Sequence, residues 1–217
     1  DNNWYFYCRT MKTEIQPQDS SRADAFHLWM TSPMPMVTIV KTMNVGRLVA
    51  VSRKHDMRFT MLMCWCIGKA ASSMDEFYTL PENGKLYRYD RLAVNVIVKN
   101  RNGGINSCDI PFSADLRKFN HDYLTLTATA SETCNSTSLD DHIIVGTSAM
   151  PQTELDCIVN QYTDRFSNPM VLWGRYRKSL FKTTLPVSFQ FHHVQMDGGH
   201  AALFLERLQQ TIQMLKP

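Results

Sequence analysis

The apolar positions of this chain change period from segment to segment, and the period names the elements. Residues 36–43 (MVTIVKTM) are rich in β-branched side chains and predict a strand. Residues 58–74 (RFTMLMCWCIGKAASSM) are apolar nearly all round, which predicts a buried helix rather than a surface one. Over 198–215, Ala201, Phe204, Leu205, Leu208, Ile212 and Leu215 recur at i, i+3 and i+4 and predict an amphipathic helix. A helix over 22–31 follows Ser20 and Ser21, residue types that cap, and a helical stretch runs from Asn44 to about 54. Residues 113–132 also look helical, with Ser113 as cap. Further strands are predicted at about 85–89, 92–99, 142–148, 169–176 and 184–192. Asn83-Gly84 and Asn102-Gly103-Gly104 supply turns. Helices and strands mix without regular βαβ alternation, which predicts an α+β fold with helices packed on a mixed sheet.

Composition narrows this little. The 217 residues fit one domain over 1–217, with 1–10 reading as a loosely attached N-terminal extension and Met11 as an alternative start. Lys plus Arg exceed Asp plus Glu by 23 − 20 = 3, too few to argue for nucleic acid or a membrane surface. No apolar run approaches the ~20 residues of a span, and Asp1–Arg9 does not resemble a signal peptide. The six cysteines include no C-x-x-C pair, and Cys64 and Cys66 flank Trp65 as small buried hydrophobes. A domain of this size has core enough without disulfides, so a reducing cytoplasm is expected.

The chemistry concentrates in Phe191-His192-His193-Val194-Gln195-Met196-Asp197-Gly198-Gly199. Leu185, Val187, Phe189 and Phe191 alternate with polar neighbours, so His193 falls on their apolar face at the strand's end. A partly desolvated imidazole there favours its neutral, basic form. Asp197-Gly198-Gly199 supplies a tight bend and a helix cap. Three readings fit these residues: a hydrogen-bonded core histidine, a metal set of His192, His193, Asp197 and His200, or a catalytic base at His193.

The run HHVQMDG resembles the H-H-x-x-x-D-G signature of the chloramphenicol acetyltransferase family. Thr147-Ser148-Ala149-Met150-Pro151 resembles that family's S-A-L-P segment. Arg22, four residues before Phe26, resembles its opening helix, and Trp173-Gly174-Arg175-Tyr176 its W-G-K-Y segment. The likeness covers about 20–213. It implies a CoA-dependent acyltransferase fold and direct transfer from acetyl-CoA, with no metal. It also implies a homotrimer with active sites at subunit interfaces. By the same resemblance His193 is the general base, Ser148 the oxyanion donor, and Asp197 the partner of Arg22. Arg58, Arg175 and Tyr176 fall where the family holds the nucleotide.

Acceptor positions depart from the family. Trp29 stands where a Tyr contacts the drug, Ile105 replaces a Phe, and Asn160 falls where an apolar residue is expected, near Ile158. Gln152 replaces the Trp after S-A-L-P. Such changes alter which hydroxyl is accepted. Two classes follow: an O-acetyltransferase acting on chloramphenicol or another small hydroxylated molecule, or an idle relative that binds a ligand or protein.

Overall fold

The computed structural model describes residues 12–216; the extension read at 1–10, Cys8 and the alternative start Met11 lie outside them. The helices are α1 (Ala23–Trp29), α2 (Gly46–Lys54), α3 (Phe59–Ser72), α4 (Leu116–Thr133) and α5 (Gly198–Gln213). The first strands are β1 (Lys12–Ile15), β2 (Met36–Asn44), β3 (Thr79–Glu82), β4 (Lys85–Tyr89) and β5 (Leu92–Lys99). They are followed by β6 (Ile105–Pro111), β7 (Ile143–Ala149), β8 (Met170–Trp173), β9 (Arg177–Lys178) and β10 (Thr183–His192).

The large sheet runs β2-β10-β8-β7-β5-β6, with β9 paired to β10. β7 is parallel to both β5 and β8, and the other pairs are antiparallel, so the sheet is mixed. A small antiparallel sheet, β1-β4-β3, stands apart. The architecture is α+β, a mixed sheet flanked by helices.

Strand alternation divides the large sheet into two unlike faces. Val94, Val145, Val171, Val187, Phe189 and Phe191 join one core with α3 and α5. The Phe189 ring lies 4.5 Å from Phe204 of α5. Full burial of a side chain of this size contributes roughly 1.5–3 kcal/mol, which fixes α5 against the sheet. α3 is buried nearly all round, from Met61 to Ala71, because α4, α5 and the sheet pack about it. Cys64 and Cys66 are buried there.

The other face carries Asn95, Ser148, Ser188, Gln190 and His192. The chain after β7 crosses it: the Ile158 N–H donates to Ser188 Oγ at 2.8 Å, and Gln190 Nε2 donates to the Asn160 carbonyl at 3.0 Å. No helix among the described residues is long and apolar enough to cross a membrane.

Several local expectations are corrected. α1 begins at Ala23 with Arg22 at its cap and no side-chain capping bond; Ser20 Oγ instead accepts the Arg22 N–H at 3.1 Å. α4 is capped by Asp115, which accepts from the Arg117 and Lys118 N–H groups, because Ser113 lies two residues too early. The strand expected over 169–176 stops at Trp173, where Gly174 leaves the ladder. The end of β10 at His192 agrees with the predicted bound, and His193 stands in the turn that follows. β1, β3 and β6 have no counterpart among the predicted strands.

Candidate active site

The turn after β10 is held by one guanidinium. Arg22 donates two bonds to Asp197, from Nη1 to Oδ2 at 2.6 Å and from Nη2 to Oδ1 at 2.8 Å. It donates two more to main-chain carbonyls, from Nη2 to His193 O and from Nε to Val194 O, each at 2.8 Å. A planar fork matches a carboxylate in both position and direction, which a flexible ammonium does not. The Arg22 hydrogen bonds hold the Asp197 carboxyl below its usual range, against a smaller opposing effect of burial. On its other side the turn is tied to the residue just before β2, where the His193 N–H donates to Pro35 O at 2.8 Å.

The His193 ring stacks on Trp29 of α1, with centroids 4.7 Å apart and planes 11° apart. Its Nδ1 is buried, lies 3.4 Å from Asp197 Oδ1, and makes no hydrogen bond. The side chain is 29% exposed, enough for a small molecule to reach the ring. His192 faces the other way. Its Nδ1 accepts the Val194 N–H at 3.1 Å, and burial, helped by His193 nearby, lowers its pKa to about 4. Ring directions therefore do not join His192 to His193 and His200. Among the described residues no cluster of His, Cys, Asp and Glu is arranged to hold a metal.

Ser148 lies elsewhere. It is level with Leu172 of β8, which is level with Ser188 of β10. His193 comes five residues after Ser188, about 16 Å along the strands and about 10 Å across two strand spacings from Ser148. Thr147 faces α3, with its Oγ1 3.7 Å from Cys64 Sγ, so Ser148 faces the opposite, polar side. The acceptor candidates divide the same way. Trp29 is with His193, whereas Ile158, Asn160 and the 72% exposed Ile105 lie on the Ser148 face. Asn160 meets Gln190 through its backbone carbonyl, not its amide.

Beyond the end of β7, a cleft of about 560 Å³ is lined by Phe59, Pro151, Trp173, Arg175, Tyr176 and Lys178, among others. Tyr176 packs against Phe59 at 5.2 Å. Arg58 is exposed at the cap of α3, next to Phe59. Arg175 comes within 3.8 Å of Glu154, a loose ion pair that leaves its guanidinium half exposed. Lys178 is a further cation in this wall. Its ammonium sits 5.7 Å from the Tyr176 ring, and the only sequence signal for it was the cationic run Arg175–Lys178.

Residues 12–209 match the family model described as chloramphenicol acetyltransferase. The chain belongs to the chloramphenicol acetyltransferase family. It is 25% identical over 189 residues to chloramphenicol acetyltransferase 3 of Escherichia coli, covering 83% of each chain. A solved structure of a chloramphenicol acetyltransferase superposes with a TM-score of 0.80 at 18% identity, over 93% of this chain and 100% of that one. The Azotobacter vinelandii dihydrolipoamide acetyltransferase superposes at 0.66 and 16% identity, over 88% of this chain and 86% of that one. As a member of the chloramphenicol acetyltransferase family, the protein is an acyltransferase. The share of both chains that is covered extends the likeness over both the His193 turn and the Trp173–Lys178 cleft.

Proposed function

We propose that this protein transfers the acetyl group of acetyl-CoA to a hydroxyl of chloramphenicol or another small hydroxylated molecule, with His193 as general base. The observation that carries this is the fourfold engagement of Arg22, which fixes both the Asp197 carboxylate and the backbone of His193. A turn held so firmly aims an imidazole without spending Asp197 on proton relay.

His193 Nε2 takes the acceptor's proton as the hydroxyl oxygen attacks the thioester carbonyl carbon. A tetrahedral oxyanion forms, and the Ser148 hydroxyl donates to it, a contribution of about 3–4 kcal/mol. Collapse breaks the C–S bond, and the proton on His193 passes to the departing CoA thiolate. Arg58, Arg175 and Lys178 supply cations for CoA phosphates, and Tyr176 offers a ring to the adenine. The cleft lies at the Ser148 end of the sheet, so the thioester arrives beside the oxyanion donor.

One chain cannot bring His193 to Ser148 across the separation between them. The reading therefore takes His193 from one copy and Ser148 from the next, in the homotrimer that the family resemblance implies. The buried, uncharged thiols of Cys64 and Cys66 suit a reducing cytoplasm.

Free-thiol release from acetyl-CoA, measured over a panel of hydroxylated acceptors with chloramphenicol first, tests the reading. Turnover is expected with at least one acceptor. His193→Ala is expected to remove nearly all of it while circular dichroism stays unchanged. Full activity in that variant would overturn the mechanism, and silence across the panel would favour a binding module.

A further inference from the structure

α5 begins where the active-site turn ends, and His200 sits in its first turn. The Asp197 backbone N–H donates to His200 Nδ1 at 3.2 Å. With Nδ1 accepting, the proton of the neutral ring must sit on Nε2. Nε2 faces Glu76 Oε1 at 3.4 Å, on the short 3-10 segment Asp75–Tyr78. The ring is thus gripped from both edges, and its one tautomer suits both neighbours.

We propose that His200 is a positioning residue that ties the active-site turn to the rigid body of α5. The links are continuous. His200 holds the backbone of Asp197, the Asp197 carboxylate holds the Arg22 fork, and Arg22 holds the carbonyls of His193 and Val194. α5 itself is anchored by buried Phe204, Leu205 and Leu208. Without His200, Asp197 keeps its salt bridge but loses the bond that fixes its main chain. The fork and the imidazole can then drift together. The proposal rests on the reading of His193 as the base.

The reach-back bond has a second chemistry. At the third position of a helix a Gln side chain can also accept the N–H of the capping residue. His200→Gln therefore keeps the acceptor, and His200→Leu removes it. His200→Leu is expected to lower kcat about 10- to 100-fold, the cost of a misaimed base, with KM for acetyl-CoA unchanged. His200→Gln is expected to stay within about threefold of the wild type. Amide exchange at Asp197, read without substrate, should quicken in His200→Leu and not in His200→Gln.

Wild-type kcat in His200→Leu, or equal losses in the two variants, overturns the proposal. If His200→Leu fails to fold, Glu76→Leu carries the test, since it frees Nε2 and lets the ring proton move to Nδ1. Lower kcat at unchanged KM then supports the proposal, and unchanged kcat overturns it. A wild type that is silent on every acceptor instead counts against the base reading, and the exchange measurement still stands.

Discussion

His192 packs its ring where a charge has no water, and its Nδ1 is committed to the Val194 N–H. Its pKa is lowered to about 4, from about 6.5 in an unfolded chain. Between those values the unfolded state binds more protons than the folded one, so stability falls as pH drops through that window. Above about pH 6.5 the full stability is present, and the loss by pH 4 is roughly 3 kcal/mol. His192→Asn keeps an acceptor for Val194 and removes the titration. Its urea midpoint should change little from pH 6.5 to 4 while the wild type's falls, and parallel slopes would show that His192 does not titrate there. Arg22 fails differently. Arg22→Lys retains the charge but cannot form a fork to Asp197 and reach two carbonyls at once. It should lower kcat about 10- to 100-fold with KM for acetyl-CoA little changed, as read by thiol release.

Single elements show where the sequence is legible. α5 buries one face at its own period, α3 is apolar nearly all round, and β10 alternates large apolar residues, so their side chains announce them. β6 does not, because Ser107 and Asp109 fill one of its faces and Asn106 interrupts the other. These are satisfied by contacts no local pattern reveals, such as Asn95 Nδ2 donating to Asp109 Oδ1 at 2.6 Å. β3 is four residues long and carries Pro81, which an edge strand tolerates and a propensity reading rejects. Asp115 and Ser113 are equally good caps by type, and only the entry of the chain into α4 chooses between them. At the site, strand alternation leads to His193 at the strand's end, and β10 stops one residue before it. Arg22 and Asp197 are 175 residues apart, so only resemblance to a family could pair them. Lys178 shows only as part of a cationic run and His200 only as a candidate in a metal set, so the sequence carries the role of neither. The break at Gly174 carries a testable consequence. A Cβ there would meet Thr153 O at 2.8 Å and Leu155 N at 3.0 Å, both backbone atoms that cannot swing aside. Gly174→Ala should therefore cost about 1–3 kcal/mol in a thermal melt and raise KM for acetyl-CoA, since Arg175 and Tyr176 follow directly in the cleft wall.

For the whole molecule, the two-faced sheet determines what a single chain can do. Its apolar face is closed by α3 and α5, while Ser148 faces the other side and His193 stands beyond the end of β10. If acyl transfer needs both groups at one carbonyl carbon, each working site takes its imidazole from one copy and its hydroxyl from another. In a closed ring every copy gives one of each, and the symmetry of the ring makes the sites alike. Two disabled variants then become complementary. His193→Ala keeps Ser148, and Ser148→Ala keeps His193, with the latter alone retaining about 10⁻² to 10⁻³ of kcat. When the two are refolded together in equal amounts, a site is whole if its imidazole comes from the second variant and its hydroxyl from the first. Random mixing makes that true of about a quarter of sites in a cyclic assembly. Thiol release should rise to about that fraction of the wild type only after the chains exchange, and not when preformed assemblies are merely mixed. Were His193 and Ser148 to meet within one chain, every site in the hybrid would still lack one group. Activity would then stay at the average of the two parents, and sedimentation of the wild type would be free to show a monomer.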